Sequence, residues 1–385
     1  MIINGEHYTS VSFVPSRGIR GNLIRIIDQR FLPFQVVFKT LSSLDEVVTA
    51  ISEMQVRGAP LIGITAAFGL VFAIDECRSE DFESWIDKSV DKILQARPTA
   101  SNTEYCLRKI LDRIREVPDV LDKHEIALET ALELMEEDKS ICRAIGENGF
   151  EIIEELYNRK AASQGKDSKE RSVVNILTHC NAGWLACVDY GTVTSIIYNA
   201  REKGIDLHVW VDETRPKNQG ARLTVWELTQ NGVSNTLITD NAGGHLMQKG
   251  LVDLVLVGCD RVTRDGDAAN KIGTYLKALA AYDNDIPFYV ALPSSTIDWT
   301  LDDGVKNIPI ENRDDREVKY VEGRCEKEIK SVLITEKNAT VFNPGFDVTP
   351  ARYITGFITE RGICKANRKE ISRLFPEYTS ESENN

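Results

Sequence analysis

The amino-acid sequence predicts an α/β protein: a small N-terminal domain of strands and helices, followed by a Rossmann-like domain with a doubly wound, mostly parallel sheet. Three observations predict this class. Helical patterns fill most of residues 43–158, short branched-apolar runs alternate with helical stretches after residue 172, and a polar segment lies between them. Strands that alternate with helices imply right-handed crossovers and a sheet covered by helices on both faces.

The first elements follow from apolar spacing and capping residues. Residues 22–40 are rich in Ile, Val and Phe and are interrupted by Pro33, which is typical of two short strands joined by a turn. Ser43-Leu-Asp-Glu46 is a capping-box pattern, and the apolar residues after it recur at the spacing of one helix face. Pro60 lacks an N–H that a helix does not need in its first turn, so we expect it to begin the next helix.

The second part is predicted from six short branched-apolar runs, of the kind that is buried on both faces of a parallel sheet. The predicted strands are Ser172–Thr178, Leu207–Val211, Asn235–Ile238, Val252–Val257, Pro287–Leu292 and Ala339–Phe342. Helices are expected between them. Two apolar helix faces are formed by Val193, Ile196, Ile197 and Ala200 and by Ile272, Tyr275, Leu276 and Leu279.

The domain boundaries are predicted from composition. The segment 159–172 is polar and charged with no apolar period, which is typical of a linker, and the last residues are polar and expected to fray. We therefore place a strand-and-helix domain at 1–160, a linker at 161–172, a Rossmann-like catalytic domain at 173–376 and a frayed tail at 377–385. A chain of 385 residues is long enough for this division.

The charge balance limits the classes of partner. The chain has 46 basic and 59 acidic residues and a net charge of −13, which argues against nucleic-acid or anionic-membrane surfaces because these need a positive field. An anionic small molecule needs only a few local donors, so this class of ligand stays open.

Cysteine spacing and hydropathy predict a cytoplasmic protein. The eight cysteines contain no C-x-x-C pair, which favours reduced thiols over a zinc site or a thioredoxin-like motif. The first residues lack the charged and apolar regions of a signal peptide. The apolar stretch Ala59–Ile74 is shorter than the roughly 18 to 20 residues that span a bilayer, so we expect a buried helix.

Two reactive side chains follow predicted strands of the sheet. Cys180 comes after the first strand and Asp260 after the fourth, and ligands of open α/β sheets bind beyond these strand ends. A thiol can act as a base or nucleophile, and a buried carboxyl can act as an acid. The alternatives are a packing role for Cys180, and for Asp260 a strand-end cap or an ion pair with Arg261. His179 is a poor partner for Cys180, since neighbours in an extended segment point to opposite sides.

Three segments carry cations that could bind an anion. Arg57-Gly-Ala-Pro60 offers a guanidinium at the start of a helix, Arg97 lies in a turn, and Asn270-Lys271 is expected to open another helix. Each segment alone is also typical of a solvated surface charge.

Nine motifs in one order span nearly the whole chain. They are Arg57-Gly-Ala-Pro-Leu-Ile-Gly63, Leu177-Thr-His-Cys-Asn-Ala-Gly183, Glu213-Thr-Arg-Pro216, Gln219-Gly-Ala-Arg-Leu-Thr224, Asp240-Asn-Ala242, Val257-Gly-Cys-Asp-Arg261, Gly266-Asp-Ala-Ala-Asn-Lys-Ile-Gly-Thr-Tyr275, Pro293-Ser-Ser-Thr-Ile-Asp298 and Asn343-Pro-Gly-Phe-Asp-Val-Thr-Pro350. In these motifs the sequence resembles the methylthioribose-1-phosphate isomerase family. The family shares its fold with the regulatory subunits of the guanine-nucleotide exchange factor of translation initiation.

The resemblance implies an aldose–ketose isomerase of methionine salvage that converts 5-methylthioribose 1-phosphate to 5-methylthioribulose 1-phosphate. It implies a homodimer that needs no metal or other cofactor. The implied catalytic residues are Cys180 and Asp260. The implied substrate and phosphate contacts are Arg57, Gly58, Ala59, Arg97, Gln219, Asn270 and Lys271. Related enzymes act on 5-deoxyribose 1-phosphate or ribose 1,5-bisphosphate, and related regulatory subunits bind sugar phosphates or nucleotides without isomerising them.

The implied chemistry suits the two reactive residues. A phosphate on the anomeric carbon locks the sugar as a ring, so an acid must protonate the ring oxygen, and a buried Asp260 fits that role. Cys180 is then either the base at C2 or a group that shapes a dry pocket for a hydride shift. A Rossmann dehydrogenase is the least favoured alternative, because residues 181–186 do not supply G-x-G-x-x-G.

The sequence departs from the family pattern close to the reactive residues. Trp184 stands where a small residue is usual, Asp189 where glycine is typical, and Cys259 where alanine precedes Asp260. Apolar residues are expected before Gln219, where the chain has Lys and Asn, and Ser101-Asn-Thr103 stands where Val-Asn-Leu is usual. One methylene-sized change in a pocket shifts preference by about 1 to 3 kcal/mol, so these departures leave the 5-substituent of the sugar open.

Overall fold

The computed structural model describes residues 1–3, 5–16, 21–79, 81–97, 101–164 and 172–378. The N-terminal part begins with strands and continues with helices. Its strands are β1 (Ile2–Ile3), β2 (Glu6–His7), β3 (Val11–Val14), β4 (Leu23–Ile27) and β5 (Phe38–Leu41). β1 and β2 form a hairpin, and β3, β4 and β5 form an antiparallel sheet in that order. The two strands predicted within residues 22–40 correspond to β4 and β5.

Five helices follow this sheet. They are α1 (Leu44–Ser52), α2 (Ala59–Glu76), α3 (Phe82–Ala96), α4 (Ser101–Ile114) and α5 (Val120–Gln164). Ser43 caps α1, since its hydroxyl accepts a hydrogen bond from the Glu46 N–H at 3.2 Å. The Glu46 carboxylate binds the N–H of Ser42 rather than that of Ser43, so only half of the capping box forms. Pro60 is the second residue of α2, one position later than expected.

The helix α2 is the centre of the N-terminal core. It is the one helix of the described residues that is long and apolar enough to cross a membrane, and 83% of it is buried inside the protein. It packs against α1, α3, α4 and α5. Its apolar residues face protein on every side, which explains why the stretch shows no polar face. The prediction of a buried helix at this stretch is confirmed.

The 45-residue helix α5 joins two hydrophobic cores. Ala127, Ala131 and Leu134 belong to the core around α2, whereas Ile145 and Ile153 belong to the core that covers the sheet. The helix continues to Gln164, four residues into the predicted linker, and residues 165–171 lie outside the described residues. The domain boundary therefore stays a prediction. So does the tail, of which residues 379–385 also lie outside the described residues.

The second part is built on a seven-stranded sheet. In chain order its strands are β6 (Val174–Thr178), β7 (Leu207–Asp212), β8 (Asn235–Ile238), β9 (Leu254–Val257), β12 (Phe288–Ala291), β17 (Gly356–Thr359) and β18 (Gly362–Cys364). The spatial order is β18-β17-β12-β9-β6-β7-β8, and only β18 is antiparallel to its neighbour. Five predicted strands correspond to β6, β7, β8, β9 and β12.

The sixth predicted strand is wrong. Residues 339–342 form no strand, and Phe342 is 81% exposed. The sheet is extended instead by β17, which begins with Gly356 and ends with Thr359 and therefore does not read as a branched-apolar run. Burial against α5 and β12 stabilises β17 in place of a longer apolar sequence.

Helices cover both faces of the sheet. The helices of this part are α6 (Val193–Glu202), α7 (Val225–Gln230), α8 (Ala242–Gln248), α9 (Thr274–Asp283), α10 (Gly304–Asn307), α11 (Arg316–Lys319) and α12 (Arg368–Leu374). The short α10 and α11 pack outside this sheet, on residues 346–349 and 320–325 respectively. Along β9, Leu254 and Leu256 join the core on the side of α6, whereas Val255 and Val257 join the core on the side of α9. Alternate side chains thus face two cores, as in a doubly wound sheet. The predicted apolar face of α6 is buried as expected.

The predicted apolar face of α9 is wrong. Leu276 is 60% exposed, and the buried face carries Thr274, Lys277 and Ala278 instead. The ammonium group of Lys277 lies 3.2 Å from the carboxylate of Asp212 at the end of β7. This buried ion pair orients the helix, so apolar spacing alone assigned the wrong side.

A smaller sheet and a hairpin complete the fold. The smaller sheet has the order β13-β10-β11-β16, from β10 (Arg261–Thr263), β11 (Ala268–Lys271), β13 (Ile297–Asp298) and β16 (Phe346–Thr349). The hairpin consists of β14 (Tyr320–Cys325) and β15 (Glu328–Leu333). Asn270 and Lys271 end β11, so the prediction that they open a helix is wrong, and α9 begins three residues later.

The strand order places a crevice at the end of β6. From β6 the chain adds β7 and β8 on one side, and then returns to add β9, β12 and β17 on the other side. The loops after β6 and β9 therefore separate in opposite directions and leave a crevice between them. Ligands of open α/β sheets bind at this switch point.

Candidate active site

One cleft lies at this switch point, between the helices of the N-terminal part and the carboxyl ends of β6 and β9. It contains all nine residues that the sequence and the resemblance single out. The nine residues are Arg57, Gly58, Ala59, Arg97, Cys180, Gln219, Asp260, Asn270 and Lys271. Four come from the N-terminal helical part and five from the sheet part, so the fold and not sequence proximity assembles the cleft.

Cys180 lies two residues beyond β6 and is held by its backbone. Its φ of 65° is in the left-handed region, which few residues other than glycine adopt. Its N–H donates to the hydroxyl of Thr214 at 2.8 Å, and its carbonyl accepts from the hydroxyl of Thr224 at 2.6 Å. The side chain is 7% exposed and lines the cleft. Because two hydroxyls bind the N–H and the carbonyl of this strained residue, the backbone that carries the thiol has a fixed position.

His179 is engaged by the sheet. Its Nδ1 lies 2.8 Å from a carboxylate oxygen of Asp212, and its Nε2 lies 2.8 Å from the carbonyl oxygen of Ile272. The ring thereby connects the end of β6 to the chain that follows Lys271. Both ring nitrogens of His179 are engaged by these partners, so the ring stabilises the floor of the cleft.

Asp260 lies after β9 with its carboxyl in the cleft. Its N–H donates to the carbonyl of Ala269 at 2.9 Å, which ties it to β11. Desolvation by the surrounding protein raises the pKa of the carboxyl, although the charges of Lys271, Arg57 and Arg97 oppose the rise. The raised pKa makes the protonated form accessible nearer neutral pH. Arg261, considered above as its ion-pair partner, binds Asp298 at 2.9 Å.

Arg57 lies directly before α2 and is oriented by Asn181. One guanidinium nitrogen donates to the side-chain oxygen of Asn181, and another donates to its backbone carbonyl at 2.7 Å. Gly58 between Arg57 and α2 has a φ of 91°, and a Cβ at this position would lie 2.5 Å from the Cα of Ala186. The close approach of Ala186 is possible only with glycine at this position, and it sets where Arg57 enters the cleft.

Two further cations converge on the cleft from opposite sides. Arg97 follows α3, and its Nε lies 3.5 Å from the carboxylate of Glu311. Its Nη1 is buried and has no hydrogen-bond partner among the described residues. Lys271 donates to the carbonyl of Gly345 at 3.0 Å. Burial lowers the pKa of its ammonium group, although Cys180 and Asp260 oppose the shift. The ammonium group of Lys271 therefore lies within electrostatic reach of both reactive side chains.

Two buried amide side chains complete the polar lining. The amide nitrogen of Asn270 donates to the hydroxyl of Thr274 at 3.0 Å. The side-chain oxygen of Gln219 is buried and accepts no hydrogen bond within the described part of the chain. An unpaired acceptor at Gln219 and an unpaired donor at Arg97 are costly in a buried site unless a polar ligand pairs with them.

The described residues also contain two groups whose ligand atoms are close enough to hold a metal ion. One is His179, Asp212 and Asp240. The ammonium group of Lys277 lies 3.2 Å from Asp212, so a cation already balances this charge. The other is Asp138, Cys142 and Cys187, of which Cys187 also lines the cleft.

Comparisons with known proteins identify the family and agree with the fold. Residues 55–366 match the initiation factor 2 subunit family. The methylthioribose-1-phosphate isomerase of Desulfosudis oleivorans is 53% identical over 356 residues, which are 92% of this chain and 94% of that protein. The chain belongs to the methylthioribose-1-phosphate isomerase family. The family resemblance found in the sequence motifs is thereby confirmed.

Solved structures of the family and its relatives share the fold. The 5-methylthioribose 1-phosphate isomerase from Pyrococcus horikoshii OT3 is 35% identical, with a TM-score of 0.78 over 97% of both chains. The translation initiation factor eIF-2B, subunit delta, from A. fulgidus is also 35% identical, with a TM-score of 0.73 over 96% of this chain and 100% of that chain. The predicted fold class is confirmed. Because isomerases and initiation-factor subunits share this fold, function has to be argued from the cleft.

Some residues of the cleft were not predicted as site residues. Asn181 orients Arg57, Thr214 and Thr224 hold Cys180, and Glu311 pairs with Arg97. The motifs of the family resemblance contain Asn181, Thr214 and Thr224. Membership in these motifs is therefore the sequence signal that could have identified them as site residues. Glu311 lies in an irregular polar segment, where no periodicity or spacing marks it.

The departures from the family pattern have different environments. Trp184 is fully buried and packs near Trp226, and Cys259 lines the cleft beside Asp260. Asp189 is buried, and its carboxylate binds the imidazole of His7 at 2.8 Å. Lys217 lines a neighbouring cavity that shares Met54, Arg57 and Gln219 with the cleft. Of these departures, Cys259 and Lys217 are the ones placed to contact a ligand.

Proposed function

We propose that this protein is an intramolecular aldose–ketose isomerase that converts 5-methylthioribose 1-phosphate to 5-methylthioribulose 1-phosphate in methionine salvage. One observation carries the proposal. A carboxyl with a raised pKa and a thiol share one small cleft with the ammonium group of Lys271, beside an arginine with an unpaired donor. The family's named relatives at about half identity over most of the chain support the same activity.

Asp260 supplies the acid in this proposal. The anomeric phosphate prevents the sugar from opening by loss of a hydroxyl proton, so the ring oxygen must be protonated for the bond from C1 to the ring oxygen to break. A carboxyl whose pKa is raised by desolvation carries this proton nearer to neutral pH. The ring oxygen gains one proton and the 2-hydroxyl later loses one, so the carboxyl can be returned to its starting state.

Cys180 acts at C2. In the first route its sulfur removes the C2 proton, an enediol 1-phosphate forms, and the proton returns to C1. In the second route a hydride moves directly from C2 to C1, and Cys180 only excludes water from the reacting carbons. The fixed backbone of Cys180 serves either route, because both need the group within contact distance of C2.

The cations bind the phosphate. Arg97 offers an unpaired N–H inside the cleft, and Arg57 and the start of α2 offer a guanidinium and free backbone N–H groups. Gln219 offers an acceptor for a sugar hydroxyl. The net negative charge of the whole chain does not oppose this, since the donors are local and partly buried.

The neighbouring cavity favours an apolar 5-substituent. It is lined by the apolar side chains of Met54 and Leu223 together with amide side chains and charged residues of both signs. Two of its arginines are already paired, since Arg30 binds Glu53 at 2.6 Å and Arg222 binds Glu322 at 2.7 Å. We therefore place a methylthio group here rather than a second phosphate. A homodimer and a cytoplasmic location stay expectations of the resemblance.

A non-catalytic regulatory role is the second candidate function. It is favoured by the similarity to the eIF-2B delta subunit, which matches as much of this chain as the solved isomerase does. The presence of both Cys180 and Asp260 in the cleft favours the enzyme, because a binding subunit needs neither an acid nor a base.

Turnover of three sugar phosphates tests the proposal. The purified protein should form ketose from 5-methylthioribose 1-phosphate with a higher kcat/KM than from 5-deoxyribose 1-phosphate, and with the lowest value for ribose 1,5-bisphosphate. The physical reason is the apolar contact of the methylthio group and the paired arginines. Ketose formed fastest from the bisphosphate would move the assignment to that substrate, and binding without turnover of any of the three would favour the regulatory role.

The variant Gly58→Ala is expected to raise KM for the sugar phosphate by about tenfold or more, since a displacement near 1 Å can cost that much. Its Cβ would lie 2.5 Å from Ala186 on a backbone with a φ of 91°, which forces the start of α2 away from Ala186. We expect a loss of about 1–3 kcal/mol of stability as well. Steady-state kinetics and thermal unfolding measure the two effects.

The variant Gly204→Ala is the matched control. Gly204 has a φ of 83°, but nothing lies within 4 Å of its added Cβ. It should therefore lose stability through backbone strain while KM stays at the wild-type value. An unchanged KM in Gly58→Ala would contradict the role given to the contact between Gly58 and Ala186.

A further inference from the structure

A pair of cysteines lies behind the wall of the cleft. Cys142 is on α5, and Cys187 follows the 3₁₀ turn Trp184–Ala186 that comes after Cys180. Both are free and almost fully buried. Their sulfur atoms and a carboxylate oxygen of Asp138 lie within 4.8 Å of one another. The two thiols are thus brought together by tertiary folding, 45 positions apart in the sequence.

Cys187 lies closer to the cleft than Cys142 does. Cys187 is one of the residues that line the cleft, whereas Cys142 lies behind it in a small cluster with Ala186. An oxidant in the cleft therefore lies nearer to Cys187 than to Cys142. Cys142 is then placed to react with the oxidised sulfur from the other side.

The surroundings of the two thiols also shift their pKa values by different causes. The hydrogen bond from Cys142 lowers the pKa of Cys187, although burial raises it overall, and the charge of Arg57 lowers it further. The same hydrogen bond and burial raise the pKa of Cys142 well above its ordinary value. Burial raises the pKa of Asp138 to about 7, so near neutral pH part of its population can accept a proton from a thiol.

We propose that Cys142 and Cys187 form a redox-active dithiol, in which a peroxide oxidises the pair to a disulfide that lowers the affinity of the cleft for its sugar phosphate. First, the sulfur of Cys187 attacks one peroxide oxygen, the O–O bond breaks, and a sulfenic acid and water form. Next, the sulfur of Cys142 attacks the sulfenic sulfur and the S–O bond breaks, while the thiol proton passes by way of Asp138 to the departing hydroxide, which leaves as a second water. Two thiols are oxidised and one peroxide is reduced.

A metal ion explains this cluster less well. A structural zinc site has four ligands, and the described residues place only three candidate donors here. One oxygen of Asp138 is also engaged, since it accepts the N–H of Val188 at 2.7 Å. A dithiol needs only the two sulfur atoms, so the geometry favours the disulfide.

The disulfide is expected to act through Ala186. Bonded sulfurs lie about 2.0 Å apart, so the two side chains must approach each other, and a close-packed interior transmits such a shift to its neighbours. Ala186 precedes Cys187 and contacts Gly58, which directly follows Arg57. We expect KM for the sugar phosphate to rise by about tenfold in the oxidised protein, since a displacement of about 1 Å at a binding site can have that effect. This consequence rests on the proposed function, whereas disulfide formation does not.

The experiment treats the full-length protein with a small excess of hydrogen peroxide, blocks free thiols with an alkylating agent, and digests it without reduction for mass spectrometry. The expected product is a cross-linked peptide pair that contains Cys142 and Cys187 and is two hydrogens lighter than the free peptides. The Cys180→Ser variant should give the same cross-link, which separates it from oxidation of Cys180. No such cross-link, a bond to another cysteine, or a stoichiometric zinc ion that blocks the reaction would overturn the proposal.

Activity is then measured before and after treatment with dithiothreitol. Wild-type protein should lose affinity on oxidation and regain it on reduction. The Cys142→Ala and Cys142→Ser variants should lack the loss of affinity that dithiothreitol reverses. The Cys106→Ala variant, which replaces a buried cysteine on α4, should behave as wild type. A cross-link with unchanged KM would refute the effect on the cleft. A cross-link in a protein that turns over none of the sugar phosphates would leave the dithiol standing and refute the proposed function.

Discussion

Replacing Asp260 by asparagine is expected to lower kcat by about 10²- to 10⁴-fold, which is the usual contribution of a positioned acid or base. Asparagine keeps the shape of the side chain and its hydrogen-bonding capacity but cannot transfer a proton to the ring oxygen. The phosphate contacts lie on other residues, so the variant should still bind its substrate. Steady-state kinetics give the loss of kcat, and stabilisation against thermal unfolding by the substrate reports the retained binding, with about 2.7 kcal/mol expected at 100 times Kd.

The pH profile separates an acid from a structural residue. Only the protonated form of Asp260 can act, so kcat/KM should fall as the pH rises through the raised pKa of this carboxyl. Glu227 is the matched control, because it is a second buried carboxyl near the cleft whose pKa burial raises to about 8. The fall in kcat/KM should persist in Glu227→Gln. Near-normal kcat in Asp260→Asn, or loss of the fall in Glu227→Gln, would contradict the assignment to Asp260.

Replacing Cys180 by serine is expected to separate the two routes at C2. If the sulfur removes the C2 proton, kcat should fall by about 10²- to 10⁴-fold, because a thiol can ionise to a basic thiolate near neutral pH and a serine hydroxyl cannot ionise there. If Cys180 only shapes a dry pocket, serine is nearly isosteric and kcat should fall by about tenfold or less, since about 1 kcal/mol is typical for one such contact. The measurement is kcat for Cys180→Ser and Cys180→Ala in parallel.

Structural integrity needs its own control in these variants. The backbone of Cys180 binds Thr214 and Thr224, and neither hydrogen bond uses the thiol. Both substitutions should therefore keep the wild-type thermal stability to within about 1 kcal/mol. A large loss of stability would show that packing of the sulfur, rather than its chemistry, accounts for a lower kcat.

The parallel strands could be predicted because their residues are buried on both faces. Val174–Thr178 and Leu254–Val257 are short, mostly apolar runs of the kind that a sheet covered on both faces buries. The strand Gly356–Thr359 lacks that signal, since it contains glycine and threonine and depends on its neighbours for burial. The run Ala339–Phe342 carries the signal but remains outside the sheet, because composition does not say which runs find a partner strand.

The facing of α9 could not be predicted from spacing. Its buried side is decided by the ion pair between Lys277 and Asp212, which lie 65 positions apart and meet only in the folded protein. Apolar periodicity placed Leu276 inside, whereas the structure leaves it largely exposed. A helix with weak amphipathic character takes its orientation from tertiary contacts of this kind.

The candidate site likewise contains residues that could be predicted from the sequence and residues that could not. Cys180 and Asp260 could be predicted because they follow strands of the sheet, where ligands of this architecture bind. Gln219 came from the family resemblance and not from any pattern in the chain, whereas Arg97 was marked only as a cation in a turn until the resemblance assigned it to the substrate. Residues that act on other residues, such as Asn181 on Arg57, carry no signal of their own because their effect depends on a contact across the fold.

The most direct test of the proposed function is the NMR spectrum of 5-methylthioribose 1-phosphate labelled with ¹³C at C2, recorded with the wild-type protein. We expect the signal of the hydroxyl-bearing C2 in the sugar ring to be replaced by a ketose carbonyl signal at C2, with the phosphate still on C1. The same sample with Asp260→Asn should stay unchanged over the same time. An unchanged spectrum with folded wild-type protein that binds the sugar phosphate would contradict the isomerase assignment.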